Sequence, residues 1–347
     1  MAESQRQYLE DRGDLAYVIG NQNKAGILPL VEAHFNGEIL SPESIKQDVF
    51  GYTVAEKSFH TRSMIKIQDG CDNFCTFCIV PMVRGAAVSR PGKDILGNIR
   101  QVIDLGYKEI VLTGVNISRY DFEGVDFTEL LEKILNMEGN FRVRISSIEP
   151  EGFGTTLYDL FAHEKLCPHL HLCLQSGSDR ILLQMRRTYR LASYLDIIEQ
   201  LRNRYPLFNF TTDIMVGFPG ETEADFEATC GIIRQVGFSH VHTFKYSVRQ
   251  GTRAERMPDQ VPEKVKQQRS LVIRGLSLEN KQKYRQLFIG KPQTVLVEKV
   301  TKSGLAKGYG EHYVPVEFRP SQPGNNYFET VTIKNVASAS QDFILKA

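Results

Sequence analysis

The stretch Cys71-Asp-Asn-Phe-Cys75-Thr-Phe-Cys78 decides how the rest of this chain is read, because it packs three thiols into eight residues. A four-iron cluster normally takes four Cys thiolates, so a loop offering three can hold a [4Fe-4S] cluster and leave one iron open to another ligand. Three Cys with a distant His would equally make a structural zinc site. Both metals stay open at this point.

Outside the loop, composition sets the bounds. The chain has 347 residues, 41% of them apolar, which suits two or three domains with a well-buried core. No run approaches the roughly 18 apolar residues of a membrane span, and the first residues are polar and charged, so neither a spanning helix nor a secretory leader is expected. A soluble, cytoplasmic monomer without membrane contact is the expectation. Six Cys in a chain of this length do not make a disulfide framework, and Cys167, Cys173 and Cys230 read as buried small hydrophobes. The formal charge of +1 hides an asymmetry, with residues 1–250 summing to −6 and residues 251–347 to +7. A polyanion would land on the basic end, above all on the charged helical stretch 262–289.

After the loop, apolar runs alternate with amphipathic stretches. Strands are predicted at 64–68, 109–113, 142–146, 169–174, 209–216 and 240–246, and helices near 93–105, 126–137, 154–163, 178–203 and 222–236. Six β units with helical crossovers predict an α/β fold whose parallel sheet is curled by right-handed connections. It is two units short of a closed eightfold barrel. Beyond Gly251 the beat stops. A Pro-bounded helix from about Pro262 to Leu287 leads into short strands near 294–298, 305–309, 313–318, 330–334 and 342–345, which predict a small all-β barrel.

Each strand end carries residues of chemical interest, where parallel α/β folds place ligand groups. Gly114 and Asn116 follow the second strand, Ser147 and Glu149 the third, and Gln175 and Ser176 the fourth. Arg187 comes next, suited to hold a carboxylate bidentately. Asp213 and Gly217 lie in Asp213-Ile-Met-Val-Gly217 on and after the fifth strand, with Gly217 read as a flat backbone shelf, and Tyr246 ends the sixth. Singly, each is as easily turn chemistry: the Ser176-Gly-Ser-Asp run is also a plain helix N-cap.

The Cys loop, with Phe77 before its last Cys, resembles the cluster loop of the radical S-adenosylmethionine (SAM) superfamily. That resemblance favours iron and sulfur over zinc. It implies an open (βα)6 partial TIM barrel with one [4Fe-4S] cluster on Cys71, Cys75 and Cys78, whose free iron chelates SAM. From about residue 61 to the end the chain is similar to the methylthiotransferase family within that superfamily. Leu112-Thr-Gly-Val-Asn-Ile117, Arg144-Ile-Ser-Ser-Ile-Glu-Pro150 and Cys167-Pro-His-Leu-His-Leu172 resemble the branch that methylthiolates C2 of threonylcarbamoyl-adenosine 37 in tRNA. The isopentenyl-adenosine and ribosomal-protein branches are the alternatives, and a non-catalytic RNA-binding metalloprotein is the alternative from another class. The tail resembles the RNA-binding TRAM domain around Val295-Leu-Val-Glu298, Gly308-Tyr309 and Val316. Implied partners are a tRNA anticodon stem-loop and an electron donor such as flavodoxin or ferredoxin. Gly114, Asn116, Ser147, Glu149, Gln175, Ser176, Arg187, Asp213, Gly217 and Tyr246 are the implied SAM contacts.

One departure limits what the resemblance carries. Family members open with a flavodoxin-like domain that brings three Cys to an auxiliary [4Fe-4S] cluster, whereas residues 1–60 here contain no Cys. The expected division is therefore a remnant of that domain at 1–60, with Tyr17-Val-Ile-Gly-Asn21 as a leftover strand and turn, a radical SAM core at 61–288 and a TRAM-like barrel at 289–347. A second cluster is not expected. Deleting 290–347 is expected to weaken tRNA binding while sparing SAM cleavage, and Tyr309, Tyr313 and Phe318 are candidates to stack bases.

Overall fold

The computed structural model describes residues 3–44, 48–51, 61–339 and 342–347. Its larger unit is built on six parallel strands, β1 (Arg62–Lys66), β2 (Glu109–Thr113), β3 (Arg142–Ile145, resumed by Ser147–Ile148), β4 (His169–Leu172), β5 (Asn209–Val216) and β6 (His240–Lys245). Each strand pairs with the next in sequence, so β1 and β6 are the two edges of an open, curled sheet. Strand residues alternate between two environments. Ile110, Leu112, Leu170, Leu172 and Phe210 are buried in the apolar core. The intervening Arg144, His169, His171 and Thr211 line a cavity of about 950 Å³ inside the curl. Parallel strands usually read as unbroken apolar runs; here the period of two survives because the concave face encloses a polar lumen.

The helices are α1 (Glu3–Glu10), α2 (Ile27–Phe35), α3 (Val80–Arg84), α4 (Gly92–Asp104), α5 (Phe127–Leu135), α6 (Thr155–Leu160), α7 (Asp179–Gln184), α8 (Leu191–Arg204), α9 (Glu223–Val236) and α10 (Glu263–Gln286). Reciprocal capping boxes start two of them, Asp126 with Glu129 on α5 and Thr222 with Asp225 on α9. The helix expected over 178–203 is instead two helices. Arg186 between them adopts φ 60°, a left-handed conformation that no helix can continue through. The strand expected at Tyr17–Asn21 is irregular chain running into a 3-10 turn at Asn21–Gly26. Among the described residues no strand pairs with it, so its apolar residues join no ladder. Met1 and Ala2, the first residues of the remnant expected at 1–60, lie outside the described residues. No described helix is long and apolar enough to cross a membrane.

The C-terminal strands are β7 (Pro292–Val300), β8 (Ala306–Tyr309), β9 (Pro315–Phe318), β10 (Phe328–Thr332), β11 (Asn335–Ala339) and β12 (Asp342–Lys346). They form one sheet in the order β10-β7-β8-β9-β12-β11. Only Ile333 and Lys334 separate β10 from β11, so the two edge strands must meet and the sheet curls into a small barrel. Its core of Val295, Val297, Val316, Phe318, Ile333 and Leu345 includes Tyr284 from the last turn of α10 and Phe288 just beyond it. The sequence missed β11 because Asn335-Val-Ala-Ser-Ala339 offers little of the branched and aromatic content that marks a strand.

This small barrel docks on the N-terminal ends of the large one. Arg142, at the start of β3, donates to the carbonyls of Thr294 (3.0 Å) and Tyr309 (2.9 Å), and Asn209, at the start of β5, donates to the His312 carbonyl at 2.7 Å. Tyr309 and Tyr313 stack with centroids 5.1 Å apart, Arg62 lies 4.6 Å over Tyr309 and Arg144 lies 4.5 Å over Tyr313. The aromatics considered for base stacking are therefore committed elsewhere, Tyr309 and Tyr313 to the interface and Phe318 to the core. Much of the charge on α10 is internal as well. Lys266, Arg269 and Arg285 are buried, with Arg269 paired to Glu221 at 2.6 Å and Arg285 paired to Asp342.

Candidate functional site

The three-thiol loop spans the C-terminal mouth of the large barrel, tied down by main-chain contacts at its centre. Thr76 accepts from the Ala254 amide (2.8 Å) and donates to the carbonyls of Met185 (from N, 3.0 Å) and Gln184 (from Oγ1, 3.0 Å). Phe77 packs on an apolar cluster of Ile181, Met185, Phe218, Tyr246 and Ala254. The loop begins at Gly70, whose φ is +69° and where an added Cβ would lie 1.9 Å from the Ala86 carbonyl oxygen. Only glycine fits there. Gly70→Ala is expected to displace Cys71 and to lower the iron bound on reconstitution by well over half, with a loss of stability of a few kcal/mol, as expected where a special backbone position is filled. Iron counting beside a urea melt checks both.

Cys71, Cys75 and Cys78 are free and half-buried. Arg187 Nη1 donates to Cys75 Sγ at 3.2 Å, and the Val80 amide donates to Cys78 Sγ at 3.4 Å. Burial pushes both thiols up, and Arg187 pulls Cys75 back toward the thiolate.

Arg187 is the hub of the site. It is ion-paired with Glu149, and its Nε donates to Tyr189 Oη at 3.1 Å, whose hydroxyl in turn reaches the carbonyls of Cys173 (2.9 Å) and Leu174 (2.8 Å). Burial raises the Glu149 carboxyl and the Arg187 charge opposes it. The left-handed Arg186 that breaks the expected helix presents this guanidinium to the loop. Arg187→Gln removes a positive charge and an N–H···S donor from the loop, so a bound cluster should become harder to reduce. A spectroelectrochemical titration showing an unchanged potential would refute that role.

The other sequence candidates separate into two groups. Ser147 is exposed on the resumed part of β3 and borders the lumen, and Asp213 on β5 faces His171 with Oδ1 3.2 Å from Nε2. Glu149 and Arg187 pair with each other beside Cys75. Asn116 is 2% exposed with its Nδ2 unpartnered, a buried donor that a ligand could satisfy.

The remaining four glycine, serine and glutamine positions have structural work. At Gly114 a Cβ would stand 2.7 Å from Ile117 Cγ2 and 3.0 Å from the Gln68 carbonyl oxygen, so the bare backbone lets the turn after β2 lie against the segment after β1. Gln175 adopts φ 69° and bonds through its backbone to Asp213 and Met215, tying β4 to β5. Ser176 is wholly buried and accepts from the Ser178 amide at 3.2 Å. The open shelf expected at Gly217 is not open: a Cβ there would lie 2.3 Å from Lys266 Cγ, and its amide donates to Glu221 Oε2 at 2.6 Å. Tyr246 is 2% exposed and packs edge-on to Phe218 with centroids 5.8 Å apart, which places it under the loop.

Sequence reasoning passed over the lumen histidines. His169, His171, His240 and His242 lie on β4 and β6, two residues apart in each case, a His-x-His spacing that puts each pair on one strand face. Burial holds His169 well below its ordinary value, lowers His242, and pushes His240 down to about 4. These three imidazoles are neutral near pH 7.

Comparison with known proteins agrees with this geometry. Residues 65–232 match the Radical SAM superfamily. The threonylcarbamoyladenosine tRNA methylthiotransferase MtaB of Chlamydia pneumoniae is 35% identical over 319 residues, covering 92% of this chain and 73% of the relative. This chain belongs to the radical SAM methylthiotransferase family. The MtaB enzyme of Thermotoga maritima is 41% identical over 280 residues, 80% of this chain and 64% of that protein. The tRNA-2-methylthio-N(6)-dimethylallyladenosine synthase of Syntrophotalea carbinolica is 39% identical over 250 residues, 71% and 57%. The chain thus spans about three fifths to three quarters of the length of these relatives. The cofactors of a radical SAM methylthiotransferase are a [4Fe-4S] cluster and SAM. The donor set here fits them: three thiols, N–H donors to two of their sulfurs, and a carboxylate and guanidinium beside them for the charged end of SAM.

Proposed function

We propose that this chain is the radical-generating and RNA-docking part of a methylthiotransferase acting on N6-threonylcarbamoyl-adenosine 37 of tRNA. The observation that carries the reading is the three-thiol loop, bonded by Arg187, at the mouth of an open six-stranded barrel. When bound, the cluster and SAM supply a 5'-deoxyadenosyl radical. The chain's own residues do the rest. Cys71, Cys75 and Cys78 would hold the metal, Arg187 and Glu149 would orient the charged end of SAM, and Asn116, Ser147 and Asp213 would line the path toward the substrate. The open edge between β1 and β6 leaves lateral room for a base flipped out of an RNA loop.

The threonylcarbamoyladenosine branch is favoured over the isopentenyl branch by the sequence segments at 112–117, 144–150 and 167–172. The RNA-docking surface would comprise the outward cations of α10 and the small barrel, such as Lys264, Arg274, Lys283, Lys299 and Lys302, all exposed. Of the three remaining thiols, all buried, Cys167 and Cys173 stand at opposite ends of β4 and Cys230 on α9. We therefore infer that the residues of this chain support SAM cleavage without sulfur insertion.

Anaerobic reconstitution followed by iron counting, reduction and assay of 5'-deoxyadenosine tests the reading. About four irons per chain, deoxyadenosine formation, and tighter binding to tRNA carrying threonylcarbamoyl-adenosine than to tRNA carrying isopentenyl-adenosine are expected. Preference for the isopentenyl tRNA would move the substrate to the other branch. Tightly held zinc without deoxyadenosine would replace the enzyme by an RNA-binding metalloprotein.

A further inference from the structure

We propose that His171, Cys173 and Asp213 form a second metal site, inside the barrel lumen, suited to a divalent ion of the zinc type. One ligand atom from each of the three lies within 4.8 Å of the others. The strands account for this. His171 and Cys173 are two residues apart at the end of β4 and share a face, and the pairing of His171 with Thr211 brings Asp213 alongside them on β5.

Imidazole, thiolate and carboxylate are the ordinary ligands of zinc. His171 and Cys173 are buried, at 9% and 7% exposure. Among the described residues no hydrogen bond engages the Cys173 thiol. The second ring nitrogen of His171, Nδ1, is 3.0 Å from Thr211 Oγ1, which is itself 3.2 Å from His169 Nε2. An outer contact of this kind fixes the ring of a metal-bound histidine. Nε2 meanwhile faces Asp213 Oδ1 at 3.2 Å, so two of the three ligand atoms already point at the same space. His171 also borders the 950 Å³ cavity, which gives an ion a way in and leaves a fourth position for water or substrate. Three protein ligands and an open position distinguish reactive from purely structural zinc sites.

The test is a titration of the full chain with Co²⁺, without SAM because Asp213 is also a proposed SAM contact, after the cluster has been assembled on the loop thiols. One Co²⁺ per chain with a thiolate-to-cobalt charge-transfer band in the near ultraviolet is expected, displaced by Zn²⁺. Cys173→Ser should abolish the band, and His171→Gln should weaken binding by more than the roughly 10–100-fold that an outer-shell contact is worth. In Cys167→Ala/Cys230→Ala, where Cys173 is the one thiol outside the loop, the band should persist; this variant decides the matter if Cys173→Ser does not fold. Absence of a second ion, or a band that survives Cys173→Ser or vanishes in the double variant, overturns the proposal. The same titration on the Cys71, Cys75 and Cys78 triple Ser variant keeps it separable from the cluster assignment, since the lumen ion should bind there too.

Discussion

Replacing any one of Cys71, Cys75 or Cys78 by Ser is expected to abolish the visible absorbance of the reconstituted protein and all 5'-deoxyadenosine formation from SAM. A seryl hydroxyl is a hard oxygen that stays protonated near pH 7, whereas the cluster is held by soft thiolates. With three ligands for four irons, no spare thiol can take over. The fold should survive, because the loop's position depends on Thr76, bonded to Gln184, Met185 and Ala254, and on Phe77, packed under it. Circular dichroism should therefore match the parent while iron content falls to near zero. Cys230→Ala gives the contrast. That thiol is wholly buried on α9, so its loss costs stability and leaves the loop untouched. Retained SAM cleavage in any loop variant would end the assignment of the loop as the cluster site.

Much of the large barrel was legible because its strands alternate and its helices carry caps. The expected limits of β2 (109–113) and β5 (209–216) match the observed ones. In the candidate site the three thiols are concentrated in sequence and Glu149 directly follows the resumed part of β3, whereas Arg187 sits in the break between α7 and α8 and reaches Cys75 only through the fold. The site was obscure where a glycine or serine has two uses. Gly217 and Ser176 are the kinds of residue that cradle ligands, and only the third dimension shows Lys266 against one and the Ser178 amide on the other. The lumen cluster of His171, Cys173 and Asp213 was hidden for another reason. Asp213 is 40 residues beyond Cys173 and joins the other two only because β4 and β5 pair in one register.

The interface between the two barrels was the largest surprise, and it reverses an expectation. Arg142 and Arg144, buried at β3, and Arg62 at β1 converge on Glu109, the first residue of β2, which is 0% exposed. Glu109 accepts from Arg142 Nε at 2.6 Å and from Arg144 Nε at 3.0 Å and Nη2 at 3.1 Å, with Arg62 Nε at 3.5 Å. The same guanidiniums hold the small barrel through the carbonyls of Thr294, Tyr309 and Glu311. Deleting 290–347 would strip these cations of half their partners and remove the core that covers Tyr284 and Phe288. It is therefore expected to destabilise the large barrel and lower SAM cleavage, and not merely to weaken RNA binding.

Glu109→Gln should have the larger effect of any single change at that interface. Removing one partner of a buried ionic group costs about 3–5 kcal/mol, because the charges left behind remain desolvated. Here three guanidiniums would lose their shared anion. Burial alone would raise the Glu109 carboxyl, but Arg144, Arg142 and Arg62 overcome it and hold the group far below the ordinary carboxylate range. A carboxylate depressed in this way adds stability above its unfolded value of about 4.3 and loses it only as pH falls through the folded one. The gap in unfolding free energy between parent and Glu109→Gln should thus be constant from about pH 5 to pH 8 and close only in strong acid. Urea melts across that range provide the measurement. A gap below about 1 kcal/mol, the range of an exposed ion pair, would mean that solvent reaches the cluster of charges and that the two barrels are not locked together through it.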